Sequence, residues 1–198
     1  RVTDNLGGDD ARVIVDRVEP FIRNAVDQSK PFLAVVWFHT PHAPIVAGPE
    51  YQAMYAEHDE NTRHFYGAVT AMDEQVGRLN GLLKELGIES DTLVWFCSDN
   101  GPEGPVEIRQ DSRFYGSTGG LRGRKRSLFS GGVAVPALVK WPGHVAPGAD
   151  LRMPCSTLDY LPTVADILGH AMPEDLPIDG VSLKAAIRGS ITERPRPI

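Results

Sequence analysis

Apolar residues near the start of the chain recur about every 3.6 residues, the period of an α-helix. The apolar face consists of Ile14, Val18, Phe21, Ile22 and Ala25. This pattern predicts an amphipathic helix over residues 9 to 28. Asp9 or Asp10 is suited to cap its N-terminus, and Pro20 is expected to kink it because proline donates no backbone hydrogen bond.

A longer helix is predicted downstream, where one apolar stripe continues without a break. Its members are Phe65, Val69, Met72, Val76, Leu79, Leu83 and Leu86. Gly87 follows the stripe directly and supplies a C-terminal stop. A last, shorter helix is predicted near residues 158 to 168.

Short apolar runs alternate with these helices. They occupy residues 31 to 38, 92 to 97 and 135 to 141. The first run is unbroken, which is typical of a strand buried on both faces. The alternation predicts an α/β fold with a mainly parallel sheet flanked by helices. The loop over residues 101 to 134 is too long for a plain connection and is expected to be functional or disordered.

The composition argues against several classes of protein. The chain has 198 residues, which suits one domain or a large part of one, and 41% of them are hydrophobic. Its net charge of −6 argues against nonspecific binding of nucleic acid by the whole surface. No apolar run approaches the roughly 18–20 residues that span a membrane. The two cysteines, Cys97 and Cys155, lack the spacing of a metal site, and the oligomeric state stays open.

The segments next to the predicted strands carry polar residues suited to chemistry. In open α/β sheets, ligands bind beyond the carboxyl ends of the strands. The first loop holds His39 and His42, the second holds Asp99 and Asn100, and the third segment holds Lys125 within the run RGRKR. We therefore expect His42, Asp99, Asn100 and Lys125 to converge on one edge of the sheet.

These residue types indicate a metal ion and an oxyanion. A carboxylate beside an amide carbonyl is a pair of hard oxygen ligands that suits calcium or magnesium. A lysine beside such a cation favours sulfate or phosphate, and a histidine adds a hydrogen bond or a proton for a leaving group. Each signal alone has a plainer interpretation. Asp-Asn-Gly after a strand is most often a turn, a histidine between prolines is most often a loop residue, and RGRKR is most often a solvated basic face or a nucleic-acid patch.

Several motifs of this chain resemble those of type I sulfatases, in the alkaline phosphatase superfamily. They are, in order, FHTPHAP at 38 to 44, AVTAMDEQVGRLNGLLKELG at 68 to 87, FCSDNGP at 96 to 102, GGLRGRKRSLFSGGVAVPALVKWPG at 119 to 143, STLDYLPTVADILG at 156 to 169 and DGVSL at 179 to 183. The resemblance is collinear from about residue 30 and covers the C-terminal part of the family's catalytic domain. It implies an alkaline-phosphatase-like fold, of which residues 1 to 198 form an incomplete half.

The resemblance also implies roles for four residues. Asp99 and Asn100 would bind a calcium ion. His42 and Lys125 would contact the sulfate and the ester oxygen, as catalytic and substrate-binding residues. His39 is expected to be structural. Ser130 stands where relatives often carry a glutamate, a difference that we expect to affect loop packing or substrate choice.

The nucleophile motif of the family does not occur in these residues. Sulfatases use a cysteine or serine in a C/S-x-P-x-R motif, converted to formylglycine, and neither Cys97 nor Cys155 has that context. The motif and the family's early aspartates would lie upstream of Arg1. We therefore expect no hydrolysis by the chain alone. We also expect weak calcium binding, because most ligands of the ion would be water.

Three functions are consistent with these residues. The first is a sulfatase that hydrolyses a sulfate ester, with this chain giving part of the active site. The second is a phosphodiesterase or phosphonate-ester hydrolase of the same superfamily, whose nucleophile is a bare threonine or serine. The third is a non-catalytic domain that binds sulfated glycans through Lys125 and its arginine neighbours. By resemblance alone, the compartment is expected to be the periplasm or the cell exterior.

Overall fold

The computed structural model describes residues 3–104, 113, 116–173, 175 and 177–198. Its elements are, in order, the helices α1 (Asp10–Asp27), α2 (Pro49–Ala53) and α3 (Glu60–Glu85), the strand β1 (Val94–Cys97), the helix α4 (Ser130–Val133), the strand β2 (Ala137–Lys140), and the helices α5 (Tyr160–Leu168) and α6 (Lys184–Ile187). Short 3-10 turns at Glu89–Asp91 and Thr157–Asp159 precede β1 and α5. The chain divides into two compact units. The first unit comprises residues 1–89 and 97–137, and the second comprises residues 90–96 and 138–198.

The two long helices of the first unit begin and end close to where the sequence predicts. Asp9 caps α1, because its Oδ1 accepts a hydrogen bond from the Ala11 N–H at 3.1 Å. Pro20 lies inside this helix. Asp59 caps α3 in the same way, and Gly87 follows the end of α3 with a positive φ of 69°. Both helix predictions are confirmed.

Charged and apolar contacts join α1 to α3. Arg78 of α3 lies 2.5 Å from the carboxylates of Asp16 and Glu19 on α1, and Arg23 of α1 lies 2.8 Å from Glu85 of α3. The buried apolar residues of the two helices are Ala11, Val15, Ile22, Ala25, Ala68, Ala71, Leu82 and Leu83. Because the ion pairs are partly exposed, burial of these apolar side chains supplies most of the stabilisation.

Residues 31 to 38 do not form the predicted strand. They have no regular secondary structure, and the side chains of Leu33 and Trp37 are 75% and 84% exposed. The segment lies against α1, where Phe32 meets Phe21 edge-on with ring centroids 6.2 Å apart. A strand exists only through hydrogen bonds to a neighbouring strand, and no described strand pairs with this segment. The apolar run at residues 31 to 38 has the composition of a strand, but it does not form one in the described structure.

The described sheet has two strands, β1 beside β2. Both lie where the sequence predicts its second and third strands, but a larger, mainly parallel sheet is not confirmed. The second unit packs around buried Met153, Leu183 and Ala186, with Trp95 of β1 against them. No helix in the described part of the chain is long and apolar enough to cross a bilayer.

A buried ion pair holds the C-terminal segment of the second unit. Asp159 accepts hydrogen bonds from Arg194 Nη1 and Nη2 at 2.7 and 2.8 Å, and from the backbone N–H groups of Ser156 and Val181, both at 2.8 Å. Burial alone would raise the pKa of the Asp159 carboxyl. The bonds from Arg194 and the two N–H groups outweigh burial and lower that pKa below its usual value.

Candidate functional site

Two loops of the first unit are joined by their backbones. They are the Asp99 loop, residues 98–104, and the basic loop, residues 121–129. The N–H of Lys125 donates to the carbonyl oxygen of Pro102 at 3.0 Å. The N–H of Gly101 donates at 2.9 Å to the carbonyl oxygen of Gly132, in α4 just beyond the basic loop. These bonds fix the backbone of Lys125 relative to the Asp99 loop.

Two glycines make this close approach possible. A Cβ atom placed on Gly101 would lie well under 3.0 Å from the carbonyl oxygen of Gly131. One placed on Gly132 would come equally close to the carbonyl oxygen of Ser127. Real Cβ atoms essentially never approach backbone so closely, so any larger residue would push the loops apart.

Asp99 and Asn100 offer unoccupied oxygen atoms at the end of β1. Asp99 is exposed, and none of the described hydrogen bonds or ion pairs involves its carboxylate. The Nδ2 of Asn100 donates to the carbonyl oxygen of Gly101 at 2.9 Å, which leaves its Oδ1 without a partner among the described residues. A carboxylate and an amide carbonyl are ligands that hard cations prefer, so this donor set fits calcium. Within the described ranges, however, no three His, Cys, Asp or Glu side chains are grouped to hold a metal ion.

Three of the four cations in the run RGRKR are held by contacts within the first unit. The guanidinium carbon of Arg122 lies 3.7 Å from the centroid of the Phe129 ring. Arg124 donates to two backbone carbonyl oxygens, one of them that of Glu103, at 2.8 and 3.0 Å. Arg126 pairs with the Glu103 carboxylate. Each arginine thus serves the local structure.

Lys125 differs from its three basic neighbours. It is half-buried, and its ammonium group has no hydrogen bond or ion pair among the described residues. Its positive charge still acts on Glu103 nearby. Burial would raise the pKa of the Glu103 carboxyl, but the Gly104 N–H, Arg126 and Lys125 together lower it. Of the four cations in the basic loop, Lys125 is therefore the one to which the described residues supply no partner.

His42 lies in the histidine loop, residues 39–44. Its side chain is exposed, and its Nδ1 lies 2.8 Å from the carbonyl oxygen of Ala43. Because a carbonyl oxygen only accepts hydrogen bonds, Nδ1 carries the proton in this contact and Nε2 is the nitrogen left for another partner. The N–H of His42 donates to the His39 carbonyl oxygen at 2.8 Å, and the two rings lie 5.2 Å apart.

A cavity of about 210 Å³ lies beside His42, between the histidine loop and the start of α1. Asp10 Oδ1 accepts a hydrogen bond from the Thr40 hydroxyl at 2.9 Å, and Asp10 Oδ2 lies 3.8 Å from His39 Nδ1. Burial, with the neighbouring Asp10, raises the pKa of Asp9 despite its bonds to backbone N–H groups. The sequence marks both aspartates only as possible helix caps. The contact of Asp10 with a loop thirty residues away has no sequence signal.

The structure therefore joins three of the four predicted site residues through neighbouring loops. Asp99, Asn100 and Lys125 lie on segments that share backbone hydrogen bonds. His42 belongs to the same unit, but no hydrogen bond or ion pair in the described part of the chain links its loop to theirs. The convergence of all four residues on one sheet edge stays a prediction.

Comparison with known proteins places this chain among its relatives. The sequence profile of the Sulfatase family matches residues 1–170. The chain belongs to the sulfatase family. It is 36% identical to steryl-sulfatase of Mus musculus over 183 residues, which are 90% of this chain and 27% of that protein. It is 34% identical to N-acetylgalactosamine-6-sulfatase of Sus scrofa over 177 residues, 88% of this chain and 32% of that protein.

Solved structures share the fold of this chain. Ps i-CgsB superposes with a TM-score of 0.80 at 29% identity, over 91% of this chain and 38% of that one. The phosphonate monoester hydrolase SpPMH from Silicibacter pomeroyi superposes with a TM-score of 0.65 at 20% identity, a likeness of fold alone. The sulfatase chain thus has the alkaline-phosphatase-like fold of these neighbours and spans about a third of the curated relatives' length.

Proposed function

We propose that this chain supplies part of an active site that hydrolyses a sulfate ester. Lys125 and His42 contact the sulfate and the ester oxygen, and Asp99 and Asn100 bind a calcium ion. The proposal rests on the contacts that the Lys125 backbone makes and on those that its side chain lacks. Its backbone is bound to the Asp99 loop at 3.0 Å, while its ammonium group, unlike the three arginines of the basic loop, has no partner among the described residues.

Each residue type suits the proposed step. The Lys125 ammonium offers positive charge and hydrogen bonds to sulfate oxygens. His42 donates through Nδ1 to Ala43, so its Nε2 reaches the ester oxygen as a donor only when the ring is an imidazolium. Asp99 and Asn100 supply two of the roughly six to eight oxygen ligands that a calcium ion takes, so water or other groups supply the rest. A calcium ion bound there supplies further positive charge near the sulfate.

The proposed nucleophile is the formylglycine of the family. No C/S-x-P-x-R motif occurs in the 198 residues, so we expect the purified chain to hydrolyse no aryl sulfate. Calcium-dependent release of sulfate by this chain, in a preparation free of other sulfatases, would show that the expectation is wrong.

Binding of inorganic sulfate to the chain in the presence of calcium tests the proposed role of Lys125. NMR titration is expected to show about tenfold weaker binding for Lys125→Ala, since a hydrogen bond to a charged group contributes about 1.5 kcal/mol or more. Arg122→Ala is the matched control. This substitution also removes one positive charge from the basic loop. Because the partner of Arg122 is the uncharged Phe129 ring, no carboxylate loses its counterion. Equal weakening by both substitutions would indicate a diffuse basic surface and refute the proposal.

The two alternatives have less support. The likeness to a phosphonate monoester hydrolase is one of fold alone, at 20% identity. A glycan-binding surface would need several free cations, whereas Arg122, Arg124 and Arg126 are occupied by Phe129, backbone carbonyls and Glu103. The relatives are named for sterol and amino-sugar sulfates, so their names do not select a substrate for this chain.

A further inference from the structure

Two carboxylates lie at the start of α1, and the second, that of Asp10, has no role in the proposed chemistry. Asp9 is the capping residue, since its Oδ1 accepts from the Ala11 N–H. Asp10, the next residue, accepts instead from the Thr40 hydroxyl, thirty positions away in the histidine loop. Its contacts therefore serve that loop.

We propose that Asp10 is a positioning residue for His42. It anchors the histidine loop at Thr40 and His39, and the anchored loop holds the His42 ring so that Nδ1 keeps its proton and Nε2 stays free. The inference rests on the proposed function for its catalytic meaning, because only a His42 that contacts substrate needs a defined tautomer.

The contacts form a continuous path from Asp10 to His42. Asp10 Oδ1 accepts from Thr40 at 2.9 Å, and Asp10 Oδ2 lies 3.8 Å from His39 Nδ1. The His39 carbonyl oxygen then accepts the His42 N–H at 2.8 Å, and the two rings meet at 60° with centroids 5.2 Å apart. Losing the first contact would release the backbone turn that places the His42 ring beside the Ala43 carbonyl.

Asp10 is the first residue of α1 and lies in its first turn. The partial positive charge at a helix N-terminus stabilises a carboxylate in the first turn. Asp10 Oδ2 is shielded from solvent and accepts no hydrogen bond in the described structure, and His39 Nδ1 lies 3.8 Å from it. The Asp10 carboxylate thus meets the histidine loop at two residues, Thr40 and His39.

The tautomer of His42 is a direct readout that needs no substrate. In the ¹⁵N-labelled chain at about pH 8, where an ordinary histidine is neutral, long-range ¹⁵N–¹H spectra distinguish a protonated from an unprotonated ring nitrogen. His42→Gln assigns the signal. We expect His42 to hold its proton on Nδ1, the reverse of the preference of an unconstrained histidine.

Three substitutions separate positioning from general stability. Asp10→Ala and Thr40→Val each remove the anchoring hydrogen bond. We expect the ratio of Nδ1–H to Nε2–H tautomer at His42 to fall about fivefold in both, the equivalent of one hydrogen bond of about 1 kcal/mol. Asp10→Asn keeps an acceptor for Thr40 and should restore most of the ratio. Asp27→Asn, at the opposite end of α1, is the control and should change nothing.

The outcomes are decisive in either direction. A wild-type His42 that populates both tautomers, or an Asp10→Ala spectrum identical to the wild type, would overturn the proposal. So would an equal change in Asp27→Asn, because the effect would then come from the helix as a whole. If Asp10→Ala does not fold, Thr40→Val decides, since it leaves the helix N-terminus intact. Sulfate binding at Lys125 is measured separately, so failure of the proposed function is distinguishable from failure here.

Discussion

Removal of the Asp159 carboxylate is expected to destabilise the second unit strongly. The Asp159 and Arg194 side chains are 0% and 6% exposed, and the carboxylate accepts bonds from Arg194, Ser156 and Val181. In Asp159→Ala, the guanidinium stays buried without its counterion, and two backbone N–H groups lose their acceptor.

The expected loss follows from that geometry. Breaking a buried ion pair by removing one partner costs about 3–5 kcal/mol, because an uncompensated charge remains buried. We expect about 4 kcal/mol for Asp159→Ala, a large share of the roughly 5–15 kcal/mol that stabilises a typical domain. Asp150→Ala is the matched control. Its ion pair with Arg152 spans 3.0 Å, but the two side chains are 70% and 90% exposed, so the loss should stay below about 1 kcal/mol.

The effect of Asp159 should depend on pH in one direction. Its pKa is lowered in the folded chain, whereas an unfolded aspartate titrates at about 3.9. The unfolded state therefore binds the proton first as the pH falls. The stabilisation from Asp159 is fully present above about pH 3.9 and is lost as the pH drops through the folded pKa, so the gap between wild type and Asp159→Ala should narrow there.

Urea unfolding followed by tryptophan fluorescence measures this effect. Trp95 lies 4.2 Å from Tyr160, the residue after Asp159, and packs into the apolar cluster of the second unit. Trp37 is 84% exposed and should change little on unfolding. If Asp159→Ala and Asp150→Ala have the same midpoint and slope, the buried pair does not hold the unit and the reasoning is refuted.

Three further outcomes are expected. Burial, then the nearby arginines, lower the pKa of His64, whose Nδ1 accepts the Ala47 N–H at 3.1 Å. The melting temperature should therefore fall as the pH drops below about 6.5, and His64→Gln should flatten that dependence. Gly132→Ala should lower the free energy of unfolding by about 1–3 kcal/mol, because the added Cβ meets the carbonyl oxygen of Ser127. Hydrogen exchange at the Gly101 amide, which donates to Gly132, should become faster, and an unchanged exchange rate would contradict the close contact. Titration calorimetry of the chain should show no tight calcium binding, and a tight site abolished by Asp99→Ala would contradict this expectation.

Local patterns determined the helices of this protein and its candidate site residues. The apolar period from Ile14 to Ala25 and the Asp9 cap predict α1, and the stripe from Phe65 to Leu86 predicts α3. Both are local signals, because helix hydrogen bonds join residues four apart and need no distant partner. The motifs around His42, Asp99 and Lys125 likewise carry the family resemblance, which the match over residues 1–170 confirms.

The tertiary structure decided what depends on residues distant in sequence. The run at residues 31 to 38 has the composition of a buried strand, but strand formation requires a neighbouring strand, and none is described beside it. The sequence alone does not show which of the four cations in RGRKR make contacts within the protein. Contacts with Phe129, Glu103 and backbone carbonyls occupy the three arginines, whereas Lys125 has no partner in the part of the chain that the structure describes. Asp10 reaches Thr40 only because folding brings the start of α1 to the histidine loop. Charge and shape of a side chain are properties of the sequence, but whether that side chain is free to bind depends on the groups that folding places around it.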